Sequence, residues 1–314
     1  MNGETPTVTV IVPTYNSRAT LRCALQSVLA QRFGDFEAWI IGDDCTDGSE
    51  EEVARLADAR LHWFNLSKNS GNQWRPNNEA LQRARGQYIA YLGHDDLWLP
   101  WHLSGLVSHA EKSGADFVHN LLVNIGPNGI LDLAGPPAEG VTYERHGFPP
   151  SSWLHRRELV QKVGLWRNPA ELHWSSDYDY TRRVFLAGSR IEFVSSLGVV
   201  KFPAPRWRNY GATGSLPQPA TLEAMTKDPS RFATQLLLDS AVCFSRLTRQ
   251  GAKQPLKNAL REAAVACSHA RKVLVRATTE FYGRERWPLR LLLRARMRRI
   301  LARNRAAKDM RADV

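Results

Sequence analysis

Two adjacent carboxylates close an apolar run in Gly86-Gln-Tyr-Ile-Ala-Tyr-Leu-Gly-His-Asp-Asp-Leu-Trp-Leu-Pro100. Tyr88 to Leu92 has the β-forming, apolar character of a buried strand, and His94-Asp95-Asp96 follows at its carboxyl end. Two acids there are costly to bury unless something positive faces them. In an open α/β sheet that edge is where ligands bind. One reading is a divalent-metal site in which Asp95 and Asp96 supply hard oxygen ligands and the metal grips a diphosphate. The other is an acidic turn and helix cap, a common use of Asp. Two further acidic segments invite the same question: Gly42-Asp-Asp-Cys-Thr-Asp-Gly-Ser49, and Ser176-Asp-Tyr-Asp179 at the start of a helical pattern. An Asp in a first helical turn is also favoured by the helix dipole alone.

The elements that position these groups read as an alternation. Thr7 to Pro13 is a strand of β-branched residues and Phe36 to Ile41 a second; Leu61 to Leu66 is a third. Helices are expected between them, with Leu21, Leu25, Val28 and Leu29 recurring at helical spacing in the first and Glu50 to Ala57 forming the second. Asn69 to Asn78 reads as a polar loop, followed by a short helix over Glu79 to Ala84. This order predicts an α/β fold with a mostly parallel central sheet and helices on both faces. In the second half, Leu103 to Lys112 reads as helix and Asp116 to Val123 as strand. Gly126 to Pro150 reads as loops, Ser175 or Ser176 caps a helix ended by Gly188, and Ile191 to Val194 and Gly198 to Phe202 are strands. Beyond Gly211 the pattern is helical with no strand signal.

The 314 residues suffice for one large α/β domain or two domains. The four cysteines, Cys23, Cys45, Cys243 and Cys267, are scattered without a Cys-x-x-Cys pair, which argues against a zinc site or a disulfide framework and suits a reducing cytoplasm. No apolar run approaches a membrane span. From Arg284 to Arg311 eleven Lys/Arg face Glu285 and Asp309, a net of +9 out of the chain's +11, so the body is near neutral. Trp287 to Ala306 has Leu289, Leu293, Met297, Ile300 and Leu301 on one face, with arginines mostly off it. Such a helix either lies on an anionic membrane surface or packs on its own domain; nucleic acid is not expected as a partner.

Val8-Thr-Val-Ile-Val-Pro-Thr-Tyr-Asn16, Ala24 to Gln31, Gly42 to Ser49, Asn69-Ser-Gly71, Asn78, Ala84-x-Gly86, the His-Asp-Asp site, and Ser176 to Asp179 with Arg182 come in an order and spacing that resemble glycosyltransferase family 2. The resemblance covers roughly residues 7–205 and implies the Rossmann-like GT-A fold and inverting transfer from a nucleotide-sugar. It implies a nucleotide site at Pro13, Tyr15 and Asp44, with Asp44 accepting from the uracil imide and Asp43 the lesser candidate of the pair. His94 is expected near the ribose. Arg75 either reaches the diphosphate as a bidentate donor or is simply solvated. Asp95 matches the family's metal position, implying Mn²⁺ or Mg²⁺, and Asp96 is a ligand, a supporting group or acceptor-facing. Gly93 stands where the usual Asp-x-Asp triplet has its first carboxylate, which alters the ligand count. Asp177 matches the catalytic base, with Ser176 replacing the usual Glu, and Asp179 is a structural or acceptor-side group. Trp174 and Trp153 either stack on sugars or belong to the core. Arg206 and Arg208 are candidates to close over the diphosphate.

The expected organisation is a GT-A domain over 1–210, with its nucleotide half at about 1–100 and its acceptor half at about 101–210. A linker at 211–220 and a helical region over 221–314 follow. The expected function is metal-assisted single displacement moving a sugar from a UDP-sugar to a saccharide or lipid-linked acceptor, in surface polysaccharide or glycolipid synthesis. The expected place is the cytoplasm, at the inner face of the cell membrane through 284–311. The alternative is a catalytically degenerate nucleotide-binding or scaffold protein on the same fold, favoured by the Gly93 and Ser176 departures. A dinucleotide oxidoreductase is excluded because no Gly-x-Gly-x-x-Gly follows the first strand.

Overall fold

The structure, a computed structural model, describes residues 5–207 and 216–251. Its centre is one sheet in the order β3-β2-β1-β4-β8-β6-β9-β5, with β7 paired to β6. The first half runs β1 (Val8–Thr14), α1 (Arg18–Leu29), β2 (Phe36–Gly42), α2 (Ser49–Arg55), β3 (Leu61–Asn65), α3 (Trp74–Arg83) and β4 (Tyr88–Tyr91). These four strands pair in parallel, in register Val10↔Ala38 and Val10↔Ala90 across β1. The second half adds β5 (Leu97–Trp98), α4 (His102–Ser113), β6 (Phe117–Gly126), β7 (Gly129–Ala134), β8 (Trp153–Arg156), α5 (Leu159–Val163), α6 (Ser176–Leu186) and β9 (Ile191–Lys201).

β8 is antiparallel to both β4 and β6, and β9 is parallel to β6. Two reversals cancel, so β1, β2, β3, β4, β6 and β9 all point the same way. The carboxyl ends of β1, β2, β4 and β9 therefore share one edge of the sheet, which is the physical basis of the site described below.

The pattern of β1 explains the layering. Val8, Val10 and Val12 point into an apolar cluster with Leu21, Leu25 and Val28 of α1 and Leu103, Leu106 and Val107 of α4. Ile11 points the other way, to Ala80 of α3 and Tyr180 and Val184 of α6. A strand covered on both faces is apolar nearly throughout, as parallel sheets require.

Several elements differ from expectation. α3 begins at Trp74, inside the segment read as a loop. Pro76 is tolerated there because the first-turn N–H groups have no partner within the helix. Asn78 is held by a reciprocal pair with the Trp166 backbone, at 2.9 Å in each direction. The Gly126–Pro150 stretch contains β7, a hairpin partner of β6. The two strands read at 191–194 and 198–202 are the single strand β9, whose register shifts opposite Asn120 to Leu122. A bulge of this kind interrupts the apolar alternation at Ser195-Ser196 without ending the strand.

The expected linker is corrected at its C-terminal end. α7 spans Pro217–Lys227 and α8 spans Pro229–Gly251. Met225, Ala233 and Leu236 pack with Leu97, Val123, Phe202 and Trp207. The reason is apolar burial: these helices cover the outer side of β5 and β9. The chain divides into units Met1–Leu237 and Leu238–Val314, so the first unit reaches past residue 210. Among the described residues no helix is long and apolar enough to cross a membrane. The basic segment 284–311, and with it the expected membrane-surface contact, lies outside the described residues, as does Arg208.

Among the described residues three histidines are fully buried: His102, His119 and His155. Burial pushes their pKa values down to about 3, about 3 and about 4. Above pH 6.5 both folded and unfolded chains hold them neutral. Below it the unfolded chain takes up protons that the folded chain refuses, so stability falls as pH drops from about 6.5 towards 4. Unfolding near pH 5 is expected to bind close to three extra protons, costing about 2 kcal/mol per histidine at that pH. Urea midpoints between pH 7 and 4.5 measure this; a flat profile is the opposite result.

Candidate active site

The loop after β2 is built around Asp43. Its buried carboxylate accepts from Ser70 N at 2.9 and 3.0 Å, Ser70 Oγ at 2.9 Å and Gly71 N at 3.2 Å. It is thus committed to holding the 69–72 loop. Asp44, next to it, is half-buried, and its φ of 70° is left-handed. Such a backbone is uncommon outside glycine, though Asp tolerates it better than most residues. Its carboxylate accepts no hydrogen bond from the described residues. One acid therefore builds the loop and the other is presented. Gly42 is required for the approach of β3, since a Cβ would lie 2.4 Å from Asn65 Oδ1. Asn65 in turn brackets Cys45 with bonds of 2.9 Å to its N and O.

At the end of β1, the Pro13 carbonyl lies 3.2 Å from His94 Nδ1. This contact ties the β1 turn, with half-buried Tyr15, to the segment after β4. Arg75 lies in the first turn of α3, half-buried, and donates to the Lys68 carbonyl at 3.3 Å.

Asp95 and Asp96 have different environments. Asp96 is fully buried; Oδ2 accepts from Ser151 Oγ at 2.5 Å and Lys201 Nζ at 2.8 Å, and Oδ1 accepts from Phe202 N at 3.2 Å. Burial raises its pKa, Lys201 opposes that, and Asp95 adds to it. A carboxylate with both oxygens engaged and no exposure is not positioned as a metal ligand. The expectation that Asp96 binds metal is therefore corrected: its charge neutralises Lys201. Asp95 keeps 8 % exposure, and Gln218 Nε2 donates to its backbone carbonyl at 3.0 Å.

Gly93 explains the altered triplet. A Cβ there would lie 2.9 Å from Asp96 Oδ2 and 3.1 Å from Asp95 Oδ1. The missing side chain lets the two acids fold back over the strand end. Among the described residues no group of three or more His, Cys, Asp or Glu could hold a metal. The donor set still fits Mg²⁺ or Mn²⁺ bound through one carboxylate, that of Asp95, with phosphate oxygens and water completing the shell.

Asp177 is the second residue of α6 and half-buried; Oδ1 accepts from Tyr178 N at 2.9 Å. Ser176, which stands in place of the usual Glu, donates through Oγ to Asn72 Oδ1 at 3.2 Å. Ser70 Oγ also lies 2.8 Å from Asn72 O. A continuous run Asp43–Ser70–Asn72–Ser176 thus joins the end of β2 to the start of α6. Asp179 faces inward, paired with Arg183 at 2.8 Å and Arg167 at 3.6 Å, which makes it structural. Trp153 is fully buried in the aromatic core with Tyr91, Trp166 and Tyr180, so it is not a sugar platform. Trp174 is 40 % exposed and braced by Tyr178, with Arg182 5.4 Å over its ring. Arg206 is exposed.

Lys201 links the site. It ends β9, its side chain is 24 % exposed, and it bonds Asp96. Burial alone would lower its pKa, but Asp96, Asp95 and Asp177 outweigh that and raise it, so it is an ammonium. One amine therefore feels all three acids. Sequence reasoning missed Lys201, Gln218 and Ser151. A charged residue closing the apolar run Gly198-Val-Val-Lys201 was the one available signal.

The fold defines a class. The structure resembles S. aureus TarS in complex with UDP-GlcNAc, with a TM-score of 0.54 at 22% identity over 62% of this chain and 58% of that one. It also resembles the mannosyltransferase PcManGT from Pyrobaculum calidifontis in complex with GDP-Man and Mn²⁺, with a TM-score of 0.53 at 18% identity over 90% and 89%. This is the GT-A fold. Residues 9–130 match the model of Glycosyl transferase family 2. The UDP-Glc:alpha-D-GlcNAc-diphosphoundecaprenol beta-1,3-glucosyltransferase WfgD of Escherichia coli is 28% identical over 138 residues, 44% of this chain and 54% of that protein. The chain spans about half the length of that relative.

Proposed function

We propose that the protein transfers a sugar from a UDP-sugar to an acceptor hydroxyl in the synthesis of a bacterial surface polysaccharide or glycolipid. The observation that carries this reading is that Lys201 lies in electrostatic range of Asp95, Asp96 and Asp177 at the sheet edge shared with Asp44. Similarity to proteins named for UDP-sugars and a lipid-linked diphosphate acceptor supports the substrate classes.

In this reading Asp44 accepts from the uracil imide, Pro13 and Tyr15 line the base, and His94 sits by the ribose. Arg75 approaches the diphosphate from the first turn of α3. Asp95 would hold Mn²⁺ or Mg²⁺, which supplies charge neutralisation to the departing diphosphate. Asp177 takes the proton from the acceptor hydroxyl. The acceptor oxygen forms its bond to the anomeric carbon as the bond to the β-phosphate oxygen breaks, and the electron pair leaves on UDP. Attack opposite the leaving group inverts the anomeric centre. Trp174, exposed three residues before Asp177, offers a flat apolar face to the acceptor sugar.

A screen of sugar nucleotides that reads released UDP tests the reading. Release is expected from one UDP-sugar and to rise with acceptor. Trp174→Ala is expected to raise acceptor KM about tenfold with donor hydrolysis retained, the size of a lost aromatic contact. UDP binding without turnover on any donor would instead support the scaffold alternative.

A further inference from the structure

The Lys201 ammonium is under-used by the protein. An ammonium carries three donors, and Lys201 makes one hydrogen bond among the described residues, to Asp96 Oδ2 at 2.8 Å. Its side chain keeps 24 % exposure while Asp96 has none, so the amine sits at the boundary between core and cleft. It stands at the carboxyl end of β9, on the sheet edge reached by β1, β2 and β4. Desolvating a cation is costly unless its remaining donors find acceptors.

Resting on the reading above, we propose that Lys201 is a diphosphate-binding residue, its free N–H groups donating to the phosphate oxygens of the sugar nucleotide on the side away from Asp95. Asp96, Ser151 and the Phe202 amide are its mounting. Asp96 fixes the amine from below, and Ser151 and Phe202 N fix Asp96. The reduced acidity of the altered triplet fits this arrangement. Gly93 removes one carboxylate from the usual set and Lys201 neutralises another, leaving Asp95 as the acid facing the phosphates. A site with less negative charge repels a diphosphate less. It therefore holds the nucleotide with less help from a divalent cation than a site with the full Asp-x-Asp pair would need.

Titration calorimetry with UDP, in EDTA and then in Mn²⁺, tests this on the full chain. The wild type is expected to bind UDP in EDTA and more tightly with Mn²⁺. Lys201→Met is expected to weaken binding in EDTA by about 10- to 100-fold, the size of a lost charge-assisted hydrogen bond. Lys201→Arg is expected to recover part of it. Because Lys201→Met leaves a buried acid unpaired, the double variant Asp96→Asn, Lys201→Met is measured beside it, and melting temperatures identify which chains are folded. Folded Lys201→Met or double variants that bind UDP in EDTA within about twofold of wild type overturn the proposal. A wild type that binds UDP only with Mn²⁺ overturns the lysine's role and leaves the site reading standing. A wild type that binds no UDP under either condition overturns both.

Discussion

Asp177→Asn is expected to lower the rate of sugar transfer by about 10²- to 10⁴-fold, the range for removal of a general base, while leaving UDP affinity unchanged. Asparagine has nearly the same shape and can still accept from Tyr178 N, as Asp177 does at 2.9 Å. What it lacks is the ability to take a proton. The loss should appear in kcat and in kcat/KM equally, since the interaction is made only in the transition state. The helix-capping alternative separates cleanly. If Asp177 merely favours the start of α6, Asn caps nearly as well, and transfer survives with a small change in melting temperature.

Asp96→Ala is expected to destabilise the fold by about 1–3 kcal/mol, because it leaves the partly buried Lys201 ammonium without its counter-ion. It also removes the acceptor of Ser151 Oγ and the Phe202 amide. The double variant Asp96→Ala, Lys201→Met is expected to recover much of that loss, since no unpaired charge remains. Urea unfolding of the two single variants and the double gives the coupling directly. If Asp96 were a solvated ligand carboxylate, its removal would cost under about 1 kcal/mol and the cycle would show no coupling.

Asp95 and Asp96 show where sequence reasoning stops. Both are acids after a buried strand, and only the fold distinguishes them. Asp96 points down towards β9, more than a hundred residues later in the chain, and meets Lys201. That pairing is long-range and leaves no local signature. The same holds for Asp43 and Asp44, neighbours of which one is spent on the Ser70–Gly71 amides. What was legible was periodic or local. The β-branched run of β1, the α1 stripe and the strand-helix alternation pointed to the parallel half of the sheet. What was not legible was short or irregular. β8 has four residues and joins two parallel groups by antiparallel pairing. β9 is interrupted by its register shift, and α3 starts in a segment of polar residues. Gln218 lay in the expected linker, yet it is fully buried and holds the Asp95 carbonyl. Proline and glycine there marked a turn but not what the helix after it would cover.

The most direct measurement is a crystal structure of the full chain with UDP and Mn²⁺. The uracil is expected against Asp44, the diphosphate beside Asp95 and Lys201, and the Asp177 carboxylate facing the vacant sugar position. Nucleotide found away from this sheet edge would contradict this reading, for example in the 950 Å³ groove lined by Arg18, Arg22, Glu52 and Leu222. So would a metal held without Asp95.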